Sequence, residues 1–206
     1  MLLLSNASTN IGLIKSYLAN GKVICFPTET VYSLSCDASI PSAINRICEI
    51  KHRKSNSPFS VLMTGVDQMK KYVSLNDYAL QLIKKFSPGP ITYILPALHK
   101  SKLAVISSKN TIGVRIPDHP AALFILKKYG VPLVGTSLNL SGKKPATCLE
   151  EIFPRFTDID LAIKDDKNSV SGLSSTIIDL TRDGQYSILR EGKITHKHIE
   201  EALYQK

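Results

Sequence analysis

The chain passes from a compact apolar run directly into polar residues at Lys22-Val23-Ile24-Cys25-Phe26-Pro27-Thr28-Glu29-Thr30. The apolar run predicts a buried β-strand that ends at Pro27, because proline cannot donate a hydrogen bond to a strand ladder. The strand therefore delivers Thr28, Glu29 and Thr30 into a loop. Polar residues at the end of a strand are typical of a binding site in α/β proteins, so this segment predicts both a fold class and a place for function.

Outward from this segment, predicted strands and helices alternate along the chain. Apolar spacing predicts helices at residues 9–20, 41–50, 76–86, 121–129 and 195–204. Apolar runs predict strands at residues 22–26, 59–63, 91–95, 111–116, 132–135, 161–163, 175–180 and 186–190. This order predicts an α/β fold with a large mixed sheet.

Length and composition favour a single domain that spans residues 1–206. Of the 206 residues, 43% are hydrophobic and 21% are charged, so the chain can bury a sizeable core and is neither disordered nor fibrous. No Gly/Ser-rich linker, low-complexity tract or internal repeat divides it.

The net charge is strongly positive. Lys and Arg number 26 against 17 Asp and Glu, which gives +9 at pH 7 and suits a polyanionic ligand. Charge alone does not choose between a nucleotide triphosphate and a nucleic acid. The chain has no Trp, and its Tyr and Phe residues are scattered, so a stacking platform for single-stranded nucleic acid has little support.

Membrane, secreted and metal-binding classes are not favoured. The apolar start Met1-Leu2-Leu3-Leu4 lacks a basic region and is too short for a signal peptide, and no later run approaches ~18 apolar residues. The four cysteines form no Cys-x-x-Cys pair, and His196 and His198 lie at a helix start close to the end of the chain. We therefore expect a soluble cytoplasmic protein with reduced thiols, no membrane contact and no protein-liganded metal.

The chain lacks the common glycine-rich phosphate loops and nucleophile motifs. Neither Gly-x-x-x-x-Gly-Lys, nor Gly-x-Gly-x-x-Gly, nor Gly-x-Ser-x-Gly occurs. A phosphate site would have to rest on cationic side chains such as Lys51, Arg53 and Arg190, with hydroxyls beside them. Since Ser and Thr in such places are often caps or turn residues, the residues alone indicate an anion-binding α/β domain and go no further.

Several motifs, in order, resemble those of the YrdC-like family of threonylcarbamoyl-AMP synthases. They are Phe26-Pro27-Thr28-Glu29-Thr30-Val31-Tyr32, Lys51-His52-Arg53, Ser87-Pro88-Gly89-Pro90-Ile91-Thr92, Gly113-Val114-Arg115-Ile116-Pro117, Gly135-Thr136-Ser137-Leu138-Asn139-Leu140-Ser141-Gly142, Ser175-Thr176-Ile177-Ile178-Asp179 and Leu189-Arg190-Glu191-Gly192. The matches extend almost to the end of the chain, and their shared order makes coincidence a poor explanation.

The resemblance implies a fold and an activity. The fold is a twisted open mixed sheet flanked by helices, with a deep basic cavity in which ATP and threonine meet. The activity condenses L-threonine, bicarbonate and ATP to threonylcarbamoyl-AMP and pyrophosphate, for the threonylcarbamoyladenosine modification of tRNA. Mg2+ would accompany the ATP, and a downstream threonylcarbamoyl transferase complex would use the product. The resemblance leaves open a weak contact with tRNA.

The resemblance also implies roles for individual residues. The catalytic set is Lys51, Arg53, Ser137 and Asn139. Threonine would be held by Thr30, Arg115 and Ser175. ATP would be held by Lys51, Arg53 and Ser137 together with Ser57, Thr111 and Arg190. We expect Lys51 and Arg53 to face solvent in the cavity, and the polar loop at residues 165–172 to serve as a lid.

The chain departs from the family pattern at four positions, namely Ser33, Lys54, Leu138 and Pro145. The shape of the pocket is therefore less well determined by the resemblance than its existence. Length suggests the short, single-domain form of the family, without an extra C-terminal domain. Two rival functions stay open: a non-catalytic RNA-binding paralogue, and a carbamoyl-transferring relative on the same scaffold.

Overall fold

The strands assemble into one sheet. A computed structural model describes residues 1–5, 7–54, 58–99, 101–151, 156–164 and 170–204. Within these ranges, ten strands form an open, twisted sheet. In chain order they are Leu2–Leu4 (β1), Ile24–Phe26 (β2), Ser33–Ser35 (β3), Ser60–Leu62 (β4), Ile91–Pro96 (β5), Thr111–Arg115 (β6), Leu133–Ser137 (β7), Leu161–Ile163 (β8), Thr176–Asp179 (β9) and Ser187–Arg190 (β10).

Helices flank the sheet, and local sequence sets several of their ends. They are Ile11–Ala19 (α1), Pro41–Ile50 (α2), Val66–Met69 (α3), Asp77–Phe86 (α4), Pro120–Tyr129 (α5) and His196–Tyr204 (α6). Pro41 and Pro120 begin α2 and α5, where the missing N–H has no helical partner to lose. Asn76 caps α4 by accepting a hydrogen bond from the Ala79 N–H at 2.9 Å. Gly130 ends α5 in the left-handed conformation, with φ 85°.

The strand order across the sheet is β1-β8-β2-β3-β7-β4-β6-β5-β9-β10. The pairs β1/β8, β8/β2, β4/β6 and β5/β9 are parallel, and the remaining neighbours are antiparallel. This arrangement confirms the predicted α/β class with a mixed, open sheet.

The strand registers divide the middle of the sheet into two chemically different faces. One face, here called the polar face, carries Ser33, Ser137, Gly135, Ser60, Gly113, Arg115 and Thr92. The other, here called the core face, carries Leu34, Val134, Val61, Val114 and Tyr93, each with 0% of its surface exposed. The division follows from the two-residue period of a strand.

Helices cover the two faces unequally. On the core face, α2, α4 and α6 contribute Ile47, Leu82 and Ile199 to a large hydrophobic cluster. On the polar face, α1 and α5 pack Leu18 and Leu126 against the β8 and β2 side of the sheet. The centre of the polar face is left as the floor of a cavity.

Three short elements, β1, β3 and α3, were not predicted. The apolar start of the chain, considered only as a signal peptide, forms edge strand β1 parallel to β8. Strand β3 was not predicted because Ser33 and Ser35 interrupt any apolar run, although its central Leu34 is buried on the core face. None of the helices that the structure describes is long and apolar enough to cross a bilayer.

Candidate active site

A cavity of about 190 Å³ lies over the polar face. Three arginines, Arg53, Arg115 and Arg190, line it. Most of the other lining residues are hydroxyl-bearing, namely Thr28, Thr30, Tyr32, Ser33, Ser60, Thr92, Thr136, Ser137, Ser174 and Ser175. No Asp or Glu occurs in the lining formed by the described residues, so the cavity is suited to anions.

Small residues make room for this cavity. Gly135 lies on the polar face beside Leu62 of the neighbouring strand, and a Cβ at position 135 would come within 2.5 Å of the Leu62 Cγ. Any side chain at position 135 would therefore displace Leu62 or fill the cavity floor.

Sequence reasoning missed Gly135, Ser60, Leu62 and Thr92 as lining residues. The available signal was the alternation of small and large residues along each strand.

Arg115, the last residue of β6, organises one wall. Its Nη2 donates to the Glu29 Oε1 at 2.6 Å and to the Thr30 Oγ1 at 2.9 Å, and its Nε donates to the Gly89 carbonyl at 3.3 Å. Only 8% of Arg115 is exposed, and the ion pair with Glu29 offsets part of the cost of burying its charge. The predicted threonine-binding residues Thr30 and Arg115 are thus in direct contact.

Arg190 and Ser175 form another part of the cavity lining. The Arg190 Nε and Nη2 donate to the Ser175 carbonyl at 3.1 and 2.8 Å, and Nη2 also reaches the Ser175 Oγ at 3.1 Å. Desolvation, followed by the positive charge of Arg115, lowers the pKa of Arg190. Gly192 permits this approach, because a Cβ there would lie 2.2 Å from the Ser174 carbonyl oxygen.

Arg53 reaches the cavity from the end of α2. His52 adopts a left-handed conformation, with φ 49°, which redirects the chain after the helix. The Arg53 Nη2 donates to the Pro58 carbonyl at 3.1 Å, and the guanidinium lies 4.9 Å from the centre of the Phe59 ring. Desolvation lowers the pKa of Arg53. All three cavity arginines therefore have defined orientations.

Lys51 does not face solvent in the cavity, which corrects the expectation from sequence. Only 3% of Lys51 is exposed. Its Nζ donates to the Ser137 carbonyl, to the Asn139 carbonyl at 2.9 Å and to the Asn139 Oδ1 at 2.7 Å. Desolvation, with a smaller effect from the positive charge of Arg53, lowers the pKa of Lys51 to about 8. The ammonium lies behind the cavity wall because the acceptors of residues 137–139 hold it there.

The predicted catalytic set is therefore divided between two places. Arg53 and Ser137 line the cavity, whereas Lys51 and Asn139 belong to the layer behind it. The Ser137 Oγ donates to the Asn139 Oδ1 at 2.7 Å, and the Asn139 Nδ2 donates to the Lys143 carbonyl at 2.6 Å. A hydrogen-bonded chain thus joins the buried ammonium to a hydroxyl of the cavity.

One predicted ATP-binding residue, Thr111, does not line this cavity. Thr111 begins β6, at the opposite end from Arg115, and lines a second cavity of about 860 Å³. The Thr111 and Ser107 hydroxyl oxygens lie 2.7 Å apart. Pro58 lines both cavities. Ser57 lies outside the described residues.

The predicted lid falls largely outside the described residues, which omit 165–169. Its described end pairs with the Thr28–Thr30 loop. The Ser171 N–H donates to the Glu29 carbonyl at 3.1 Å, and the Gly172 N–H donates to the Thr30 carbonyl at 2.7 Å. Residues 171 and 172 are therefore hydrogen-bonded to the loop that carries Thr30.

The departures from the family pattern have unequal consequences. Ser33 forms part of the cavity lining and pairs with Ser137 across β3 and β7. Leu138 is fully buried in the hydrophobic cluster on the core face, so its size does not change the cavity. Lys54 is exposed and Pro145 is partly exposed, and neither lines the cavity.

The chain is similar in sequence to known proteins of one family. The family model Sua5_yciO_yrdC, described as "Telomere recombination", matches residues 16–192. A relative from Methanocaldococcus jannaschii is 37% identical over 88% of this chain and 84% of its own length. The threonylcarbamoyl-AMP synthase of Bacillus subtilis is 32% identical over 97% of this chain, which spans 58% of that protein.

The chain is also similar in fold to a solved structure. The crystal structure of P. abyssi Sua5 complexed with L-threonine superposes with a TM-score of 0.89 and 29% identity, over 98% of this chain and 60% of that one. The family match covers most of the chain, and the same region superposes on a solved member. The chain therefore belongs to the Sua5/YciO/YrdC family.

Proposed function

We propose that this protein is a threonylcarbamoyl-AMP synthase, which condenses L-threonine, bicarbonate and ATP to threonylcarbamoyl-AMP and pyrophosphate. The observation that carries the proposal is the convergence of Arg53, Arg115 and Arg190 on one cavity whose described lining has no carboxylate. The synthase named among the relatives and the threonine-bound Sua5 structure support the same activity.

The reaction needs such a cavity because its reactants repel one another. Bicarbonate and ATP are anions, and threonine carries a carboxylate as well as its amine. Guanidinium groups reduce this repulsion, and they match the planar geometry of carboxylate and phosphate oxygens. Fixed cations also stabilise charge that develops on a leaving group, provided that they are oriented before the reaction begins.

We assign the lining residues to two different substrates. Thr30, Arg115 and Ser175 form a continuous polar surface around Thr92, since the Ser175 and Thr92 hydroxyl oxygens lie 3.2 Å apart. This surface would hold the threonine carboxylate and hydroxyl. Arg53 and Arg190 would hold the phosphates, with Ser137 between the two substrates.

The chemistry then follows in two steps. The threonine amine attacks the carbon of bicarbonate, and water leaves to give N-carboxythreonine. A carbamate oxygen attacks the α-phosphorus of ATP, and the bond to the pyrophosphate oxygen breaks. Holding both reactants in one cavity favours this encounter, and a cavity closed to water protects the unstable carbamate.

Mg2+ enters this proposal only with the nucleotide. Among the described residues, no group of three or more His, Cys, Asp or Glu side chains is placed to hold a metal ion. Phosphate oxygens and water would be its ligands.

Wider assignments rest on the same activity. We propose that residues 1–206 act as a single domain in the cytoplasm, where ATP and tRNA meet. A threonylcarbamoyl transferase complex would then consume the product, whose mixed anhydride is activated for transfer to an amine. Weak contact with tRNA would use the basic surface.

The test is pyrophosphate release from ATP by the purified protein in magnesium and bicarbonate, with and without L-threonine. We expect threonine-dependent release and an AMP-linked product by mass spectrometry. Arg53→Ala should remove most turnover, whereas Lys127→Ala, on the exposed side of α5, should not. Salt-sensitive tRNA binding without turnover would favour the RNA-binding paralogue instead. Use of carbamoyl phosphate without threonine would favour the carbamoyl-transferring relative.

A further inference from the structure

We propose that Lys51 acts as a positioning residue, which holds the cavity wall from behind and makes the Ser137 hydroxyl an acceptor toward the substrates. This inference rests on the proposed function, but it assigns Lys51 a role that requires no contact with ATP, bicarbonate or threonine.

The first argument is the count of donors and acceptors. A lysine ammonium has three hydrogens, and Nζ has three acceptors, all within residues 137–139. The backbone of the same residue is also engaged, because the Lys51 carbonyl accepts a hydrogen bond from the Ser141 N–H at 3.1 Å. Lys51 therefore clamps the 137–141 segment at both ends, and its ammonium has no hydrogen left for a phosphate oxygen.

The second argument concerns the direction of the hydrogen bonds. An ammonium only donates, so the Asn139 atom that faces Nζ must be the amide oxygen. The Ser137 hydroxyl contacts that same oxygen at 2.7 Å and must therefore donate its single hydrogen to it. Only the lone pairs of Ser137 remain for the cavity. Lys51 thus makes Ser137 an acceptor, suited to an N–H or O–H of a substrate.

The charge of this clamp depends on pH. The described residues place no carboxylate in a salt bridge with Lys51. Arg53 is the charged group that acts on it, while the neighbouring His52 and Lys54 and the facing Lys143 and Lys144 are exposed. Burial and the positive charge of Arg53 lower the pKa of Lys51 to about 8, so the Lys51 ammonium loses its proton as the pH rises through that value.

Activity and stability should consequently respond to alkaline pH in opposite directions. Loss of the proton removes one hydrogen bond from the wall, which lowers kcat above about pH 8. The folded-state pKa lies below that of the unfolded chain, so between these pKa values the unfolded chain binds more protons and this residue's contribution to stability increases with pH. A purely structural role predicts that activity falls only when stability falls.

The experiment measures threonine-dependent pyrophosphate release from pH 6.5 to 9.5, together with the thermal midpoint, for the wild type and Lys51→Met. We expect the wild-type kcat to fall tenfold per pH unit above about 8, without a matching fall in midpoint. Lys51→Met should lose about 10²-fold in kcat, and its kcat should not fall further above about pH 8. Its affinity for ATP should stay within about twofold of the wild-type affinity. Lys54→Met, at an exposed position three residues further along the chain, is the matched control and should keep the wild-type profile.

The contrary results are equally distinct. A Lys51→Met variant that loses ATP affinity more than tenfold at unchanged kcat would show direct phosphate binding and overturn the proposal. If that variant does not fold, the pH dependence of the wild-type protein is the test. A fall in kcat at alkaline pH that accompanies a fall in the thermal midpoint would also overturn the proposal. If the wild-type protein shows no threonine-dependent turnover, the proposed function itself is wrong. If it is active but its kcat does not fall above about pH 8, only the role of Lys51 is wrong.

Discussion

The two faces of the sheet are built from alternating residues of the same strands, yet one face is closed and the other is open. The core face presents Leu34, Val61, Val114 and Tyr93, all fully buried under helices. The polar face presents Ser33, Ser60, Gly113, Gly135 and Thr92 at the intervening positions. The backbone is common to both, so side-chain volume separates a packed layer from a cavity.

This difference shows where stability and function are located. Burial of the aliphatic and aromatic side chains of the core face stabilises the sheet. The polar face contributes less hydrophobic burial but leaves room for a ligand, and two of the arginines around it stand at strand ends. Arg115 and Arg190 are the last residues of β6 and β10. Changes on the two faces should therefore affect different measurements.

The largest effect is expected for Arg115→Met on the polar face. It removes the cation that contacts Glu29 and Thr30, and leaves the mostly buried Glu29 carboxylate without its ion partner. Breaking such a pair costs about 3–5 kcal/mol of unfolding free energy, and loss of an oriented cation should reduce kcat/KM by at least about 10²-fold. Chemical denaturation and the pyrophosphate assay measure the two losses.

The control for this prediction is the double variant Glu29→Gln with Arg115→Met. The double variant removes the unpaired Glu29 carboxylate, so much of the lost unfolding free energy should return while activity stays low. Recovery of activity together with stability would show that Arg115 supports the fold rather than the cavity.

A smaller effect, on stability alone, is expected for Leu34→Ala on the core face. Leu34 is fully buried in the large hydrophobic cluster, and such a truncation costs about 2–5 kcal/mol. Kinetic constants measured below the unfolding transition should remain near wild type, because the side chain points away from the cavity. A large change in KM for L-threonine would mean that the two faces are not independent.

The sequence predicted most of the fold because most strands and helices carry strong local signals. The apolar runs at β2, β5 and β8 and the capped helix α4 all appear within a few residues of their predicted bounds. Strand β3 was missed because only its single leucine between two serines is apolar. Its place in the sheet depends on pairing with β2 and β7, which a local pattern does not show.

The candidate site could be predicted only in part. The arginines were found because cations suit anions, but the direction of each side chain was not readable. Lys51 and Arg53 are two residues apart, and the left-handed turn at His52 sends them to different places. Gly135 was not predicted to form part of the cavity floor, because its importance lies in its distance to Leu62 of another strand.

An intermediate effect is expected for Gly135→Ala, which partly closes the open face. The new Cβ would meet the Leu62 Cγ at 2.5 Å, and overpacking of this kind costs about 1–3 kcal/mol of unfolding free energy. Displacement of Leu62 into the cavity should also raise the KM for L-threonine. In a double-mutant cycle, Leu62→Ala should restore part of the binding. Additive effects of the two changes would contradict the contact.

The smallest effect is expected for Gly113→Ala, at the other small position of the polar face. A Cβ there would lie 3.1 Å from the Ile94 Cδ1, the end of a flexible side chain, and 3.5 Å from the Thr92 Cγ2. The methyl group needs a shift of only tenths of an ångström, and it reduces the entropy of the unfolded chain by an amount worth about 0.4–1 kcal/mol. These terms oppose each other, so the unfolding free energy should change by less than about 1 kcal/mol.

The contrast with Gly135 is what this variant measures. The two glycines flank Ser60 on adjacent strands, one paired with it across β7 and the other across β6. If an absent side chain matters because of the space it leaves in the cavity, Gly113→Ala should alter the KM for L-threonine less than Gly135→Ala, since Gly113 does not line the cavity. Equal kinetic losses at both positions would show instead that the strands must stay flexible, and the openness of the polar face would need a different explanation.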